Sequence, residues 1–165
     1  MSQIFILCVE DEPEVLEAVV RDLAPFEPLF TIEATASADE ARRVVASVIL
    51  PAGKLGVVVC DHIMPGEDGV SFLVALQRDP RTAAARKILL TAHAGLEATV
   101  EAVNHAGLNH YVAKPWKAEE LVAIVRHQLT EFVAAEETNL IPYLGVLEAD
   151  RLADRIRQAP LPGDE

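Results

Sequence analysis

Val57-Val58-Val59-Cys60-Asp61-His62-Ile63-Met64-Pro65-Gly66-Glu67-Asp68-Gly69 joins a run of strand formers to a carboxylate and then to a turn rich in Pro and Gly. An α/β domain uses this pattern to offer a side chain at the carboxyl end of a strand. Taken alone, Asp61 is equally well a turn or helix-capping aspartate. Its company elsewhere in the chain decides the reading. Ile4 to Val9 ends in Glu10-Asp11, Ile88 to Leu90 ends in Thr91, and Tyr111-Val112-Ala113 ends in Lys114-Pro115. In a parallel sheet with right-handed crossovers such strand ends emerge along one edge. Glu10, Asp11, Asp61, Thr91 and Lys114 are therefore expected to line one pocket.

Helical patterns separate these runs. Glu12-Pro13 opens a first helix with Val15, Leu16, Val19, Val20 and Leu23 on one face, and Pro25 stops it. Leu29 to Ala34 reads as a second strand. Ser37 with Glu40 is a capping box for a second helix whose apolar face is Ala41, Val44, Val45, Val48 and Ile49, ended by Pro51-Ala52-Gly53. Asp68-Gly69 starts a third helix, with Phe72, Leu73 and Leu76 inward, closing near Asp79-Pro80. A weakly amphipathic helix over about 96–105, anchored by Val100 and Val103 and stopped at Gly107, reads as a movable element. Lys117 to about Val133 forms the last helix of the domain, with Leu121, Val125, Leu129 and Phe132 on one stripe. Five strand–helix alternations predict a doubly wound, three-layer α/β domain over residues 1–133.

Residues 134–165 are different: acidic, interrupted by Pro142 and Pro160, with Val146, Ala149, Leu152, Ala153 and Ile156 able to form one short amphipathic helix. This extension is either a helix packed on its own domain or a frayed tail, or a linker or dimerisation element.

Composition narrows the function. The 165 residues are 51% hydrophobic and 24% charged, enough for a real core in one domain with a modest appendage. A formal net charge of −12 repels nucleic-acid phosphates, which argues against direct DNA or RNA binding. No stretch is long and apolar enough for a membrane span, and Met1-Ser2-Gln3 lacks a basic signal-peptide start, so a cytoplasmic location is expected. Cys8 and Cys60 lie in apolar strand runs, where a thiol behaves as a small hydrophobe.

The acidic residues of the expected pocket call for a cation. Carboxylates that close raise one another's pKa unless a positive charge joins them. Mg²⁺ prefers oxygen ligands, keeps several waters and takes only one or two carboxylates plus a phosphate oxygen. Asp61 is then available as a nucleophile toward phosphorus, with Lys114 neutralising charge and the Thr91 hydroxyl able to donate to a phosphoryl oxygen.

Glu10-Asp11, the Asp61 block with Met64-Pro65 and Asp68-Gly69, Thr91-Ala92, and Tyr111 ahead of Lys114-Pro115 together resemble the receiver domain of bacterial two-component response regulators, over roughly residues 3–133. The resemblance implies a flavodoxin-like (βα)5 fold with strand order 2-1-3-4-5. It implies that Asp61 accepts a phosphoryl group from a phosphohistidine on a sensor histidine kinase or phosphotransfer protein. Asp11, Asp61 and the Ile63 backbone carbonyl are implied as direct Mg²⁺ ligands, with Glu10 acting through water. Glu10 stands where the family more often has Asp, keeping the charge but adding a methylene. The Lys114-Pro115 bond resembles one that is cis in the family, which would aim Lys114 back into the pocket. Thr91 and Tyr111 are implied as the switch that alters the face made by the fourth helix, fifth strand and fifth helix; the plainer reading of Tyr111 is a half-buried strand aromatic. No enzymatic turnover is implied beyond the domain's part in its own phosphorylation and dephosphorylation.

Other readings fit less well. A flavodoxin needs a hydroxyl- and glycine-rich phosphate loop where this chain has Glu10-Asp11-Glu12. No P-loop motif occurs. An aspartate-nucleophile phosphohydrolase wants Asp-x-Asp after the first strand. Trp116 reads as a packing or surface aromatic, and His62 and His93 as rim residues of the pocket. His105, His110 and His127 show no zinc-site spacing. For output, a stand-alone receiver, a monomer able to dimerise through its switch face or C-terminal helix, stands beside the receiver portion of a larger signalling enzyme. A degenerate receiver acting as a constitutive interaction module is the third form.

Overall fold

β1 (Gln3–Val9) is buried from Ile4 to Val9, as a strand covered on both faces requires. The computed structural model describes residues 3–92 and 102–159. After β1 come α1 (Pro13–Asp22), a single 3₁₀ turn (Ala24–Phe26) and β2 (Thr31–Thr35). α2 (Ala38–Val44) continues through a π-helical turn (Val45–Ile49) and a last turn (Leu50–Ala52) into β3 (Gly53–Asp61). α3 (Gly69–Arg78), β4 (Arg86–Thr91), a π-helical turn (Ala102–Ala106) and β5 (His110–Ala113) follow. α4 (Ala118–Glu136), a 3₁₀ turn (Ile141–Tyr143) and α5 (Ala149–Gln158) complete the described chain. The expected helix over about 96–105, with Val100, lies mostly outside the described residues, so α4 here is the fifth helix of the expected alternation.

All strand pairs are parallel and the order is β2-β1-β3-β4-β5, the arrangement expected of a flavodoxin-like domain. Alternate residues feed two cores. Ile4, Ile6 and Cys8 join Val57, Val59, Ile88 and Leu90 beneath α1 and α4, whereas Phe5, Leu7, Val9, Val58 and Leu89 pack under α2 and α3. Local chemistry sets the ends. Ser37 caps α2 by accepting from Glu40 N at 3.1 Å, and Glu40 Oε2 accepts in return from Ala36 N at 3.0 Å. Asp68 caps α3, accepting from Ser71 N at 2.8 Å.

Some boundaries differ from the sequence reading. β3 starts at Gly53, where a Cβ would stand 2.0 Å from the Gln3 carbonyl, so strand pairing begins in the residues that looked like a helix stop. β2 starts two residues later than expected, because Phe30 is drawn into the core beside Phe26. Val48 is exposed, since the π-helical turn rotates it off the apolar face.

The extension packs on the domain's own surface. Leu140, Tyr143, Leu147 and Leu152 join the core under α1 and α4, and the Tyr143 ring stacks on Phe30 at 5.9 Å. Arg126 Nε donates to Val146 O at 3.1 Å, and Glu148 N donates to Thr130 Oγ1 at 3.1 Å. Of the expected apolar stripe, Leu152 is buried, while Ala149 and Ile156 are exposed and Val146 precedes the helix. Among the described residues no helix is long and apolar enough to cross a membrane.

Candidate phosphoacceptor site

Four strand ends deliver the site. Glu10 follows β1, Asp61 ends β3, Thr91 ends β4 and Lys114 follows β5, all on the carboxyl edge of the parallel sheet. Backbone bonds lock these ends in register: His62 N donates to Leu90 O at 2.9 Å and Lys114 N to Thr91 O at 2.8 Å. Gly69 closes over the site so tightly that a Cβ would lie 1.9 Å from the Asp61 carbonyl, which leaves room only for glycine.

Ligand oxygens of Glu10, Asp11 and Asp61 all lie within 4.8 Å of one another. Glu10 and Asp61 are buried and Asp11 is half-buried. Lys114 Nζ donates to Glu10 Oε2 at 2.9 Å and to Asp61 Oδ1 at 3.0 Å, and Glu10 Oε1 accepts from Glu12 N at 3.2 Å. Burial pushes the Glu10 carboxyl above the usual carboxylate range; Lys114 and the Glu12 amide oppose this, and the Asp61 charge adds to it. Burial pulls Lys114 down, but its bonds to Glu10 and Asp61 outweigh that and hold the ammonium above its ordinary value. Lys114 thus pairs with two of the three carboxylates, and an oxygen-only set with excess negative charge fits a hard divalent ion such as Mg²⁺. A cavity of about 210 Å³ opens here, lined by Glu12, Asp61, His62, Ile63, Thr91 and Lys114.

The chain matches the response regulator receiver domain over residues 6–126. It belongs to that family. The receiver is 32% identical over 126 residues to the hydrogenase transcriptional regulatory protein HoxA of Cupriavidus necator, covering 76% of this chain and 24% of that protein. It is 34% identical over 107 residues to the chemotaxis protein CheY of Pseudomonas aeruginosa, covering 65% of this chain and 78% of that one. A CheY-like receiver domain protein from Methanospirillum hungatei superposes with a TM-score of 0.68 at 25% identity, covering 79% of this chain and 97% of that chain. The chain spans about a quarter of the length of the hydrogenase regulators it matches.

The remaining candidates have different settings. Thr91 is buried at the pocket wall. Tyr111 is 46% exposed on β5, its ring stacked on His110 at 6.4 Å between centroids. Ile63 is exposed on the loop after β3. The Lys114–Pro115 bond is cis. Trp116 packs partly against the core and its Nε1 donates to Asp22 Oδ2 at 2.8 Å. His105 and His110 are exposed, His127 pairs with Glu148 at 2.8 Å, and His93 lies outside the described residues. Cys8 and Cys60 are buried free thiols, pushed up by burial, Cys8 to about 12.

Two features escaped the sequence reading. Lys87, which looked like a residue ahead of β4, is buried within it and donates to three oxygens. Arg42 of α2 pairs with Glu67 in the loop after Asp61. Neither carries a motif: a charge in a strand, or on the polar side of a helix, reads as solvated until its tertiary neighbour is known.

Proposed function

We propose that this receiver accepts a phosphoryl group on Asp61 from a phosphohistidine of a sensor histidine kinase or phosphotransfer protein in the cytoplasm. The observation that supports it most is Lys114 Nζ within 3.0 Å of both Glu10 and Asp61, with Asp61 and Lys114 lining a small cavity. An Asp61 carboxylate oxygen forms the new P–O bond as the P–N bond of the donor breaks, and the imidazole nitrogen keeps the electron pair. Lys114 neutralises charge on the transferring group, and the Thr91 hydroxyl donates to one of its oxygens.

Asp11, Asp61 and the Ile63 carbonyl would hold Mg²⁺, with Glu10 beside it through water; when bound, the ion supplies further charge neutralisation at the phosphoryl oxygens. Both Glu10 oxygens already accept protein hydrogen bonds, which suits that outer role. After transfer, the added charge and acceptor oxygens draw Thr91 inward, and exposed Tyr111 follows, altering the surface around β5 and α4.

Because relatives such as HoxA are named as transcriptional regulators and are much longer than this chain, a second reading is the receiver portion of a larger regulator. Incubation with acetyl phosphate and Mg²⁺, followed by intact-protein mass measurement, tests the function. The wild type gains one phosphoryl group and Asp61→Asn gains none; equal labelling of both overturns the assignment.

A further inference from the structure

The loop after Asp61 is held from outside the pocket. Its base is closed by Gly69 N donating to His62 O at 2.8 Å. Within it Met64 is buried against the core under α2 and α3, and Gly66 takes a positive φ of 85° to turn the chain. Beyond the turn, Glu67 meets Arg42 of α2. Arg42 Nε donates to Glu67 Oε2 at 3.0 Å, and Arg42 Nη2 donates to the other carboxylate oxygen. The same guanidinium lies over the Phe72 ring of α3, 5.5 Å from its centroid. One planar fork therefore joins α2 to the Asp61 loop and to the helix that the loop feeds.

A single ion pair at this exposure adds little to global stability. Its consequence lies in what the loop carries, since His62 and Ile63 both line the cavity. We propose that Arg42 is a positioning residue for the cation and phosphoryl site: by clasping Glu67 and Phe72 it fixes the 62–68 loop, and with it the Ile63 carbonyl, in the arrangement that binds a divalent cation. The proposal rests on the reading of Asp61 and its neighbours as that site. Sequence pattern gives no hint of it, because Arg42 and Glu67 are 25 positions apart and both look like ordinary surface charges.

The full chain is titrated calorimetrically with Mg²⁺, and amide exchange of residues 62–69 is measured, for wild type, Arg42→Gln, Glu67→Gln, the double variant and the charge-reversed pair Arg42→Glu/Glu67→Arg. Loss of an outer partner that orients a metal site weakens binding about tenfold. Each single variant is expected to bind Mg²⁺ about that much more weakly, with faster exchange in the loop and no change in thermal midpoint. The double variant loses no more than either single variant, and the reversed pair recovers most of the affinity. Wild-type Mg²⁺ affinity and loop exchange in both single variants overturns the clasp while leaving the site reading intact. Absence of Mg²⁺ binding by the wild type overturns the site reading and the clasp together.

Discussion

Lys114 and Lys87 are ammonium groups at opposite edges of one sheet, and their settings are opposite too. Lys114, beyond β5 on the carboxyl edge, reaches two carboxylates, and these keep it charged against the pull of burial. Lys87, near the start of β4 on the amino edge, is 1% exposed and meets only neutral oxygens: Gln77 Oε1 at 2.9 Å, Ala83 O at 3.2 Å and Ala85 O at 2.7 Å. There burial prevails and brings the ammonium down to about 8. The three Nζ bonds of Lys87 tie β4 to the end of α3 and to the loop before β4, so it fastens the scaffold. Lys114 sits in a site whose negative charge exceeds its own, which leaves work for a cation and a phosphoryl group. Burial alone therefore does not mark a functional lysine; the charge of its partners does.

Lys114→Met should give the largest change. Removing one preorganised charge from a transferring group lowers rates about 10²-fold or more, so labelling by acetyl phosphate, followed by intact mass, should slow by that order while Mg²⁺ binding persists. An unchanged rate would place Lys114 with Lys87 as scaffold. Lys87→Met should do the reverse. Three oxygens lose their donor, so denaturant unfolding should show a loss of about 1–3 kcal/mol, with the labelling rate of Asp61 retained. A slowed rate in the Lys87→Met protein while it is still folded would blur the division between the two edges.

The pH dependence of stability separates the lysines further. Lys87 titrates near 8 when folded and near 10.4 when unfolded, so between those values the unfolded chain binds more protons and stability rises with pH. The wild type should gain up to about 1.4 kcal/mol per pH unit relative to Lys87→Met between pH 8 and 10. Below pH 8 both states are protonated at Lys87 and the two slopes should coincide. Tyr111→Ala should have the smallest effect on stability, within about 0.5 kcal/mol for an exposed side chain. Amide exchange on β5 before and after phosphorylation should then differ in the wild type and not in the variant.

The carboxyl edge was far more legible in the sequence than the amino edge. Its residues each end or follow an apolar strand, so the topology brings Glu10, Asp61, Thr91 and Lys114 to one edge, where Lys114 bonds Glu10 and Asp61 and Thr91 shares the cavity wall. The three-layer architecture followed from the same alternation, and the strand order from the family resemblance. Lys87 was hidden because a strand charge next to Arg86 looks solvated, and only the fold of residues 77–85 closes oxygens around it. Arg42 and Glu67 were hidden for the same reason. In the extension, the helical pattern around Leu152 was visible, but Tyr143, which stacks on Phe30, lies in a short turn outside any periodic pattern.

Of the three carboxylates within 4.8 Å of one another, Asp61 alone is proposed to become phosphorylated. Borohydride reduction of the protein after acetyl phosphate treatment, with peptide mapping by mass, converts a phosphorylated aspartate to homoserine and so reports the residue directly. Homoserine at position 61, formed only with Mg²⁺ present, is the predicted result. Reduction at Glu10 or Asp11, or none anywhere with Mg²⁺ bound, would contradict it.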